Sequence, residues 1–155
     1  MALSRLSADE LEAWGGFLRT HFVLHRELER RLVNRHGLLM SGYAVLLRLA
    51  WAGPEGQRMS ELAEEAMMTS GGLTRLADRL ERDGLITRTR SSDDLRGYVA
   101  RITPAGRRLL SRANEQHLAD VRQLFLDHLT DEEIRMLGDV WRRIKAANER
   151  LLRST

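Results

Sequence analysis

Thr69-Ser70-Gly71-Gly72-Leu73-Thr74-Arg75-Leu76-Ala77-Asp78-Arg79-Leu80-Glu81-Arg82-Asp83-Gly84, followed at once by Leu85-Ile86-Thr87-Arg88-Thr89-Arg90, is the stretch on which the fold turns. Leu73, Leu76, Ala77 and Leu80 recur at i, i+3, i+4 and i+7, so one side of a helix is apolar. Small and hydroxylated residues open that helix, and Gly84 stands where a helix ends. Ser70, Thr74, Arg75, Asp78, Arg79 and Arg82 occupy its remaining surface. After Gly84 the pattern becomes alternating and β-branched, which predicts a strand.

Upstream, Ser60 to Ala66 reads as a short helix capped by Ser60, with Glu61 in its first turn. Gly53-Pro54-Glu55-Gly56 is a turn, preceded by a helix from about Ser41 to Ala52. Downstream, Ser91 to Gly97 is turn chemistry and Tyr98 to Ile102 is a returning strand. Helix, short turn, helix and hairpin together are a winged helix-turn-helix. The expected fold is mainly α with a small β-hairpin wing, an α+β arrangement.

Long helices flank this middle. Ser7-Ala8-Asp9-Glu10 is a capping box, and Leu11, Trp14, Leu18, His21, His25, Leu28 and Leu32 then follow in alternating steps of 3 and 4, a heptad seam ending near Gly37. Thr103-Pro104 starts another helix, expected to bury Leu110, Ala113, His117, Val121, Leu124 and His128. A second capping box, Thr130 to Glu133, opens a last helix with Ile134, Leu137, Trp141, Ile144, Asn148 and Leu151 along one seam. Such seams exceed what a small winged lobe covers. Two-fold pairing would bury them; packing within one chain is the alternative. The pairing reading makes residues 1–155 one domain, with dimerisation helices at 7–36 and 103–155 and a nucleic-acid-binding lobe at 41–102. Its interface includes Leu11, Leu18, Leu28, Ile134, Leu137, Trp141 and Ile144.

Of 25 basic residues only Lys145 is a lysine, and net charge is +3. From Arg58 to Arg101 eight arginines face eight carboxylates, so any anion binding depends on which side each charge occupies. There is no cysteine, which excludes disulfides and thiolate chemistry. No apolar run reaches membrane-spanning length, and Met1 to Glu12 lacks the apolar stretch of a secretory leader, so a cytoplasmic location is expected.

The major groove of duplex DNA admits one helix. A helix entering it needs a small, hydroxylated N-terminus so that the backbone approaches phosphate, and Thr69, Ser70, Gly71 and Gly72 supply it; Ser60, on the preceding helix, is a further candidate DNA contact with Thr69 and Ser70. One turn on, Thr74 and Arg75 are placed to reach base edges, and Arg79 to reach phosphate. Arg88 and Arg90 share a face of the first strand and are candidate phosphate contacts. At the hairpin tip, Arg96 suits the adjacent minor groove, with Asp94 steadying the ribbon by pairing with an arginine.

These residues carry a resemblance. Met59-Ser60-Glu61-Leu62-Ala63, the run from Ser70 to Arg88, Asp94-Leu95-Arg96-Gly97 and Ile102-Thr103-Pro104-Ala105-Gly106 resemble the MarR family over most of the chain. The resemblance implies an obligate homodimer on pseudo-palindromic double-stranded DNA. It implies repression in most cases, often relieved by a small phenolic or aromatic effector. It assigns DNA contacts to Ser70, Thr74, Arg75, Arg79 and Arg96. The double glycine at 71 and 72 and the apolar Leu95 depart from the family pattern.

Trp14, Phe17, His21, Tyr43, Trp51 and His117 are candidates to line an effector cleft, or else are ordinary core. His21 and His25 have a spacing that can chelate a metal, although interface histidines share it; no metal and no cofactor are expected. No nucleophile-base pair, phosphate loop or hydrolase elbow is present, so an enzyme is not expected. A helical module that binds protein through its winged lobe is the remaining alternative.

Overall fold

The computed structural model describes the backbone of residues 6–91 and 97–152, with side chains as far as residue 148. Among these residues the helices are α1 (Ala8–His36), α2 (Met40–Trp51), α3 (Met59–Glu65), α4 (Ser70–Arg82), α5 (Pro104–Leu124) and α6 (Asp131–Leu152). The strands are β1 (Gln57–Arg58), β2 (Ile86–Arg90) and β3 (Tyr98–Ile102), and 3-10 turns occupy Gly53–Glu55 and Leu126–His128. The fold is thus mainly helical with a small antiparallel sheet of order β1-β3-β2. The chain divides into two compact units, Met1–His117 and Leu118–Thr155.

Local chemistry sets most boundaries. Ser7 Oγ accepts from the Glu10 amide at 3.2 Å, and the Glu10 carboxylate accepts from the Ser7 amide at 2.7 Å. Gly37, at φ 64°, ends α1 in the left-handed region that glycine enters without penalty. Thr69 Oγ1 caps α4 by accepting from the Gly72 amide at 3.1 Å. In the second unit, the Thr130 amide donates to Glu133 Oε2 at 2.8 Å, which closes the box that starts α6.

Three boundaries differ from expectation. Ser60 does not cap α3: the helix leaves β1 directly, its cap is the extended Arg58 with no side-chain cap bond, and Ser60 lies exposed in the first turn. The wing has a third strand, because Gln57 and Arg58 pair with Ala100 and Val99. Two residues carry no readable period; what allows the pairing is Gly56, where a Cβ would stand 2.3 Å from the Ala100 carbonyl oxygen. Lastly, α5 stops at Leu124 because Phe125 leaves helical geometry, so His128 falls in the 3-10 turn and is exposed rather than buried.

The core of the first unit seals Val45, Leu46 and Leu49 of α2, Leu62 of α3, Leu73 of α4 and Ile86 of β2 from solvent. Each such burial contributes about 1.5–3 kcal/mol. The run Ile102 to Gly106 anchors α5 to the end of α4: Thr103 Oγ1 donates to the Gly84 carbonyl at 2.7 Å and accepts from the Gly106 amide at 3.0 Å. A Cβ at Gly106 would lie 2.2 Å from the Leu85 carbonyl oxygen, so only glycine permits this approach. Along α1 the seam is covered only at its C-terminal end. Leu32 is buried, while Leu11, Trp14 and Leu18 stay 45%, 55% and 46% exposed.

Candidate nucleic-acid interface

Helix α4 is two-sided. Leu73, Ala77 and Leu80 are buried, whereas Ser70, Thr74, Arg75 and Arg79 are exposed. The turn from α3 reaches it through Met67, at φ 52° the only non-glycine residue with positive φ among the described residues. Beyond it the Met68 amide returns to the Ala63 carbonyl at 2.9 Å, which closes the turn and sets where Thr69 begins the next helix.

The exposed side chains differ in what they can offer. Thr74 Oγ1 donates to the Ser70 carbonyl at 2.8 Å, so toward a partner it presents oxygen lone pairs and a methyl group, not a proton. Arg75 makes no ion pair among the described residues, which leaves its fork of donors available to a planar acceptor. Arg79 reaches only loosely toward Asp83, one turn on, at 4.0 Å.

Beside this face lies a cavity of about 430 Å³ walled by α3, α4 and the root of the wing. It brings together Ser60, Ser70, Thr74 and Arg88, four residues singled out from sequence, and adds Arg58 and Tyr98, which were not. Nothing local marks those two. Arg58 enters through the pairing of β1 with β3, and Tyr98 because β3 begins beside it.

The wing arginines part company. Arg88, expected to face phosphate, is turned inward: Nη2 donates to Asp78 Oδ1 at 2.6 Å and to Glu81 Oε2 at 2.7 Å, and the side chain is 19% exposed. The reason is the pleat, which puts Arg88 on the same side as the sealed Ile86, facing α4. Hydrogen bonds from Arg88 hold the Glu81 carboxyl below the ordinary glutamate range. Arg90, at the end of the strand, is exposed. Asp94 and Arg96 lie outside the described residues.

The aromatic candidates group unevenly. Trp14, Phe17, His21 and His25 form a ladder along exposed α1, with successive ring centroids 5.8, 6.1 and 5.9 Å apart. Tyr43 packs on His117 at 4.8 Å and donates to Asn114 Oδ1 at 2.6 Å. Burial raises the Tyr43 phenol above its ordinary value. Trp51 stands about 12 Å from Tyr43 along α2 and is 74% exposed, whereas Tyr43 is buried. Among the described residues no three ligating side chains converge as a metal set, the His21–His25 pair included. No helix there is long and apolar enough to cross a membrane.

Comparison with known proteins places this architecture. Residues 40–98, which span the helix-turn-helix and most of the wing, match the model of the MarR family. The HTH-type transcriptional regulator MhqR of Bacillus subtilis is 30% identical over 112 residues, covering 72% of this chain and 75% of that protein. Sco3205 of Streptomyces coelicolor, a MarR family regulator solved in complex with DNA, superposes with a TM-score of 0.86 at 32% identity, covering 93% of this chain and 90% of that one. AbsC of the same organism, also a MarR family regulator, gives 0.84 at 29% identity over 94% and 98%. With that fold and these relatives, the chain belongs to the MarR family of transcriptional regulators, a family of regulators and not of enzymes.

Proposed function

We propose that this protein is a homodimeric repressor that binds a pseudo-palindromic double-stranded operator through α4 and leaves it when a small aromatic effector binds. The observation that carries the reading is the two-sidedness of α4. Its apolar side is locked in the core, and Ser70, Thr74, Arg75 and Arg79 stand together on the open side. The DNA complex of the related Sco3205 supports the same use of the fold. Thr69 and Ser70 then meet phosphate at the helix N-terminus, Thr74 and Arg75 read base edges, Arg79 meets phosphate, and Arg90 and the tip residue Arg96 add flanking contacts. Arg88 is left out of this set because its guanidinium is already engaged.

Dimerisation is supported by exposed apolar side chains on two helices. Phe22 and Val23 on α1 are 64% and 51% exposed, and Met136 and Ile144 on α6 are 57% and 47% exposed. Apolar side chains left exposed along a helix are what a pairing partner would cover. A twin would set a second α4 roughly 34 Å away, one DNA turn. The effector reading is supported by family membership and by the aromatic side chains of α1 with the Tyr43–His117 pair.

Selection of bound fragments from genomic DNA, followed by footprinting, tests the proposal. A palindromic footprint protected by a dimer, with affinity falling steeply as salt rises, is expected. Equal affinity for unrelated duplexes, or a mass of one chain at the working concentration, would overturn it.

A further inference from the structure

Two hollows of the first unit differ in the charge that they favour. One, of about 240 Å³, is walled by leucines, and its edge offers Arg79 and Asp83 together, so it selects neither sign. The groove of about 430 Å³ beside the open side of α4 does select. Its walls include Arg58, Ser60, Ser70, Thr74, Arg88 and Tyr98, and no carboxylate. Asp78 and Glu81 hold the Arg88 guanidinium but line no part of the groove. Eight arginines against eight carboxylates leave residues 58–101 neutral as a whole. In this groove the balance is broken in favour of an anion.

The hydroxyls narrow the occupant. Among the described residues no hydrogen bond engages the side-chain hydroxyl of Ser60, Ser70 or Tyr98, whereas that of Thr74 is held by the Ser70 carbonyl. Tyr98 opens β3 and is 45% exposed. Arg58 holds the N-cap of α3, a position that wants an acceptor, and its side chain has only donors. Capping therefore does not explain an arginine there. Three hydroxyl donors and a cation around an occupant that only accepts describe a phosphodiester, whose free oxygens carry the charge. Position gives its source. Thr74 lines the groove and also stands among the candidate base contacts of α4, so an occupant here is continuous with the bases that α4 would read. We propose that the groove seats one backbone phosphodiester of duplex DNA, with Arg58 pairing its charge and the Tyr98 hydroxyl donating to it beside Ser60 and Ser70. That the duplex is an operator rests on the proposed function. Arg58 and Tyr98 then fix affinity and the position of α4, not the choice of sequence.

The test measures binding of the full chain to the selected operator and to an unrelated duplex across a salt series. Tyr98→Phe removes one hydroxyl and keeps the ring. It should weaken both duplexes roughly fivefold and leave the salt slope unchanged. Arg58→Gln should weaken both roughly tenfold and reduce the magnitude of the slope by about 0.9. Operators carrying a single neutral methylphosphonate then assign the linkage. At one position in each half-site the parent should lose affinity and Arg58→Gln should lose none further. Parental affinity in either variant would overturn the proposal, and in both would leave the groove to an acidic protein surface. Losses confined to the operator, or a further loss in Arg58→Gln at every methylphosphonate position, would overturn it too. Tyr98→Phe decides the case if Arg58→Gln fails to fold. If the parent prefers no sequence, the operator reading falls, while the losses on the unrelated duplex still decide the groove.

Discussion

Arg88 and Glu81 are joined three times: the Arg88 amide donates to Glu81 Oε1 at 2.8 Å, and its Nε and Nη2 donate to Oε2 at 3.1 and 2.7 Å. A single residue thus ties β2 of the wing to the helix proposed to enter the groove, with Asp78 as its second partner. Arg88→Ala is expected to cost about 1–2 kcal/mol in urea unfolding, below the full value of a charged hydrogen-bond pair because Glu81 is 38% exposed. Arg88→Lys should fall between, since an ammonium cannot form the fork. An unchanged midpoint together with a shallower salt dependence of DNA binding would instead make Arg88 a phosphate contact.

The same pair sets a pH dependence. Hydrogen bonds from Arg88 depress the Glu81 carboxyl below its ordinary value of 4.5. Arg30 and Arg31 depress Glu27 to about 2, and the Thr130 amide and hydroxyl depress Glu133. A depressed carboxyl stabilises the fold fully above its unfolded value, and that contribution disappears as pH falls through the folded value. Thermal midpoints should therefore hold from neutrality to about pH 4.5 and drop below it. Glu81→Gln should be less stable than the parent at neutral pH, with the gap closing in acid. A gap that widens in acid would contradict this assignment.

Arg75 and Arg79 lie one turn apart on α4 but should fail differently. Arg75→Ala is expected to cost about 1–3 kcal/mol of operator binding and to relax base choice at one position in each half-site. Arg79→Ala should weaken all duplexes alike and reduce the magnitude of the salt slope by about 0.9 for each phosphate that is no longer neutralised. Binding-site selection with each variant, run beside salt titrations, separates the two roles. Interchanged outcomes would reverse the assignment.

Two backbone positions beside the interface are open to improvement. A Cβ at Gly71 meets nothing within 4 Å, so Gly71→Ala should stabilise the fold by about 0.4–1 kcal/mol by restricting the unfolded chain. Met67 holds a left-handed conformation that costs an L residue about 1–2 kcal/mol, and its side chain is 82% exposed, so truncation removes little packing. Met67→Gly should therefore be neutral or up to about 1 kcal/mol stabilising, whereas Met67→Ala keeps the strain and gains nothing. Calorimetric melts of the three variants decide this, and a destabilised Met67→Gly would show that the methionine side chain packs.

What could be read from residues alone was whatever neighbours in the chain decide. The helix starts at Ser7, Thr69, Thr103 and Thr130, the stop at Gly37, the apolar side of α4 and the two wing strands follow from caps and periods spanning a few residues, and each is where those signals put it. Tertiary structure decided what depends on distant partners. It drew Gln57 and Arg58 into the sheet through the close approach at Gly56, and so denied Ser60 its capping role. It turned Arg88 inward to two carboxylates while leaving Arg75 outward, although both are arginines on polar-looking surfaces. It also opened a leucine-walled cavity whose lining comes from four separate segments. Caps and periodicity act over one or two turns of chain, whereas the direction of a long cation and the shape of a void are set by groups that only folding brings within reach.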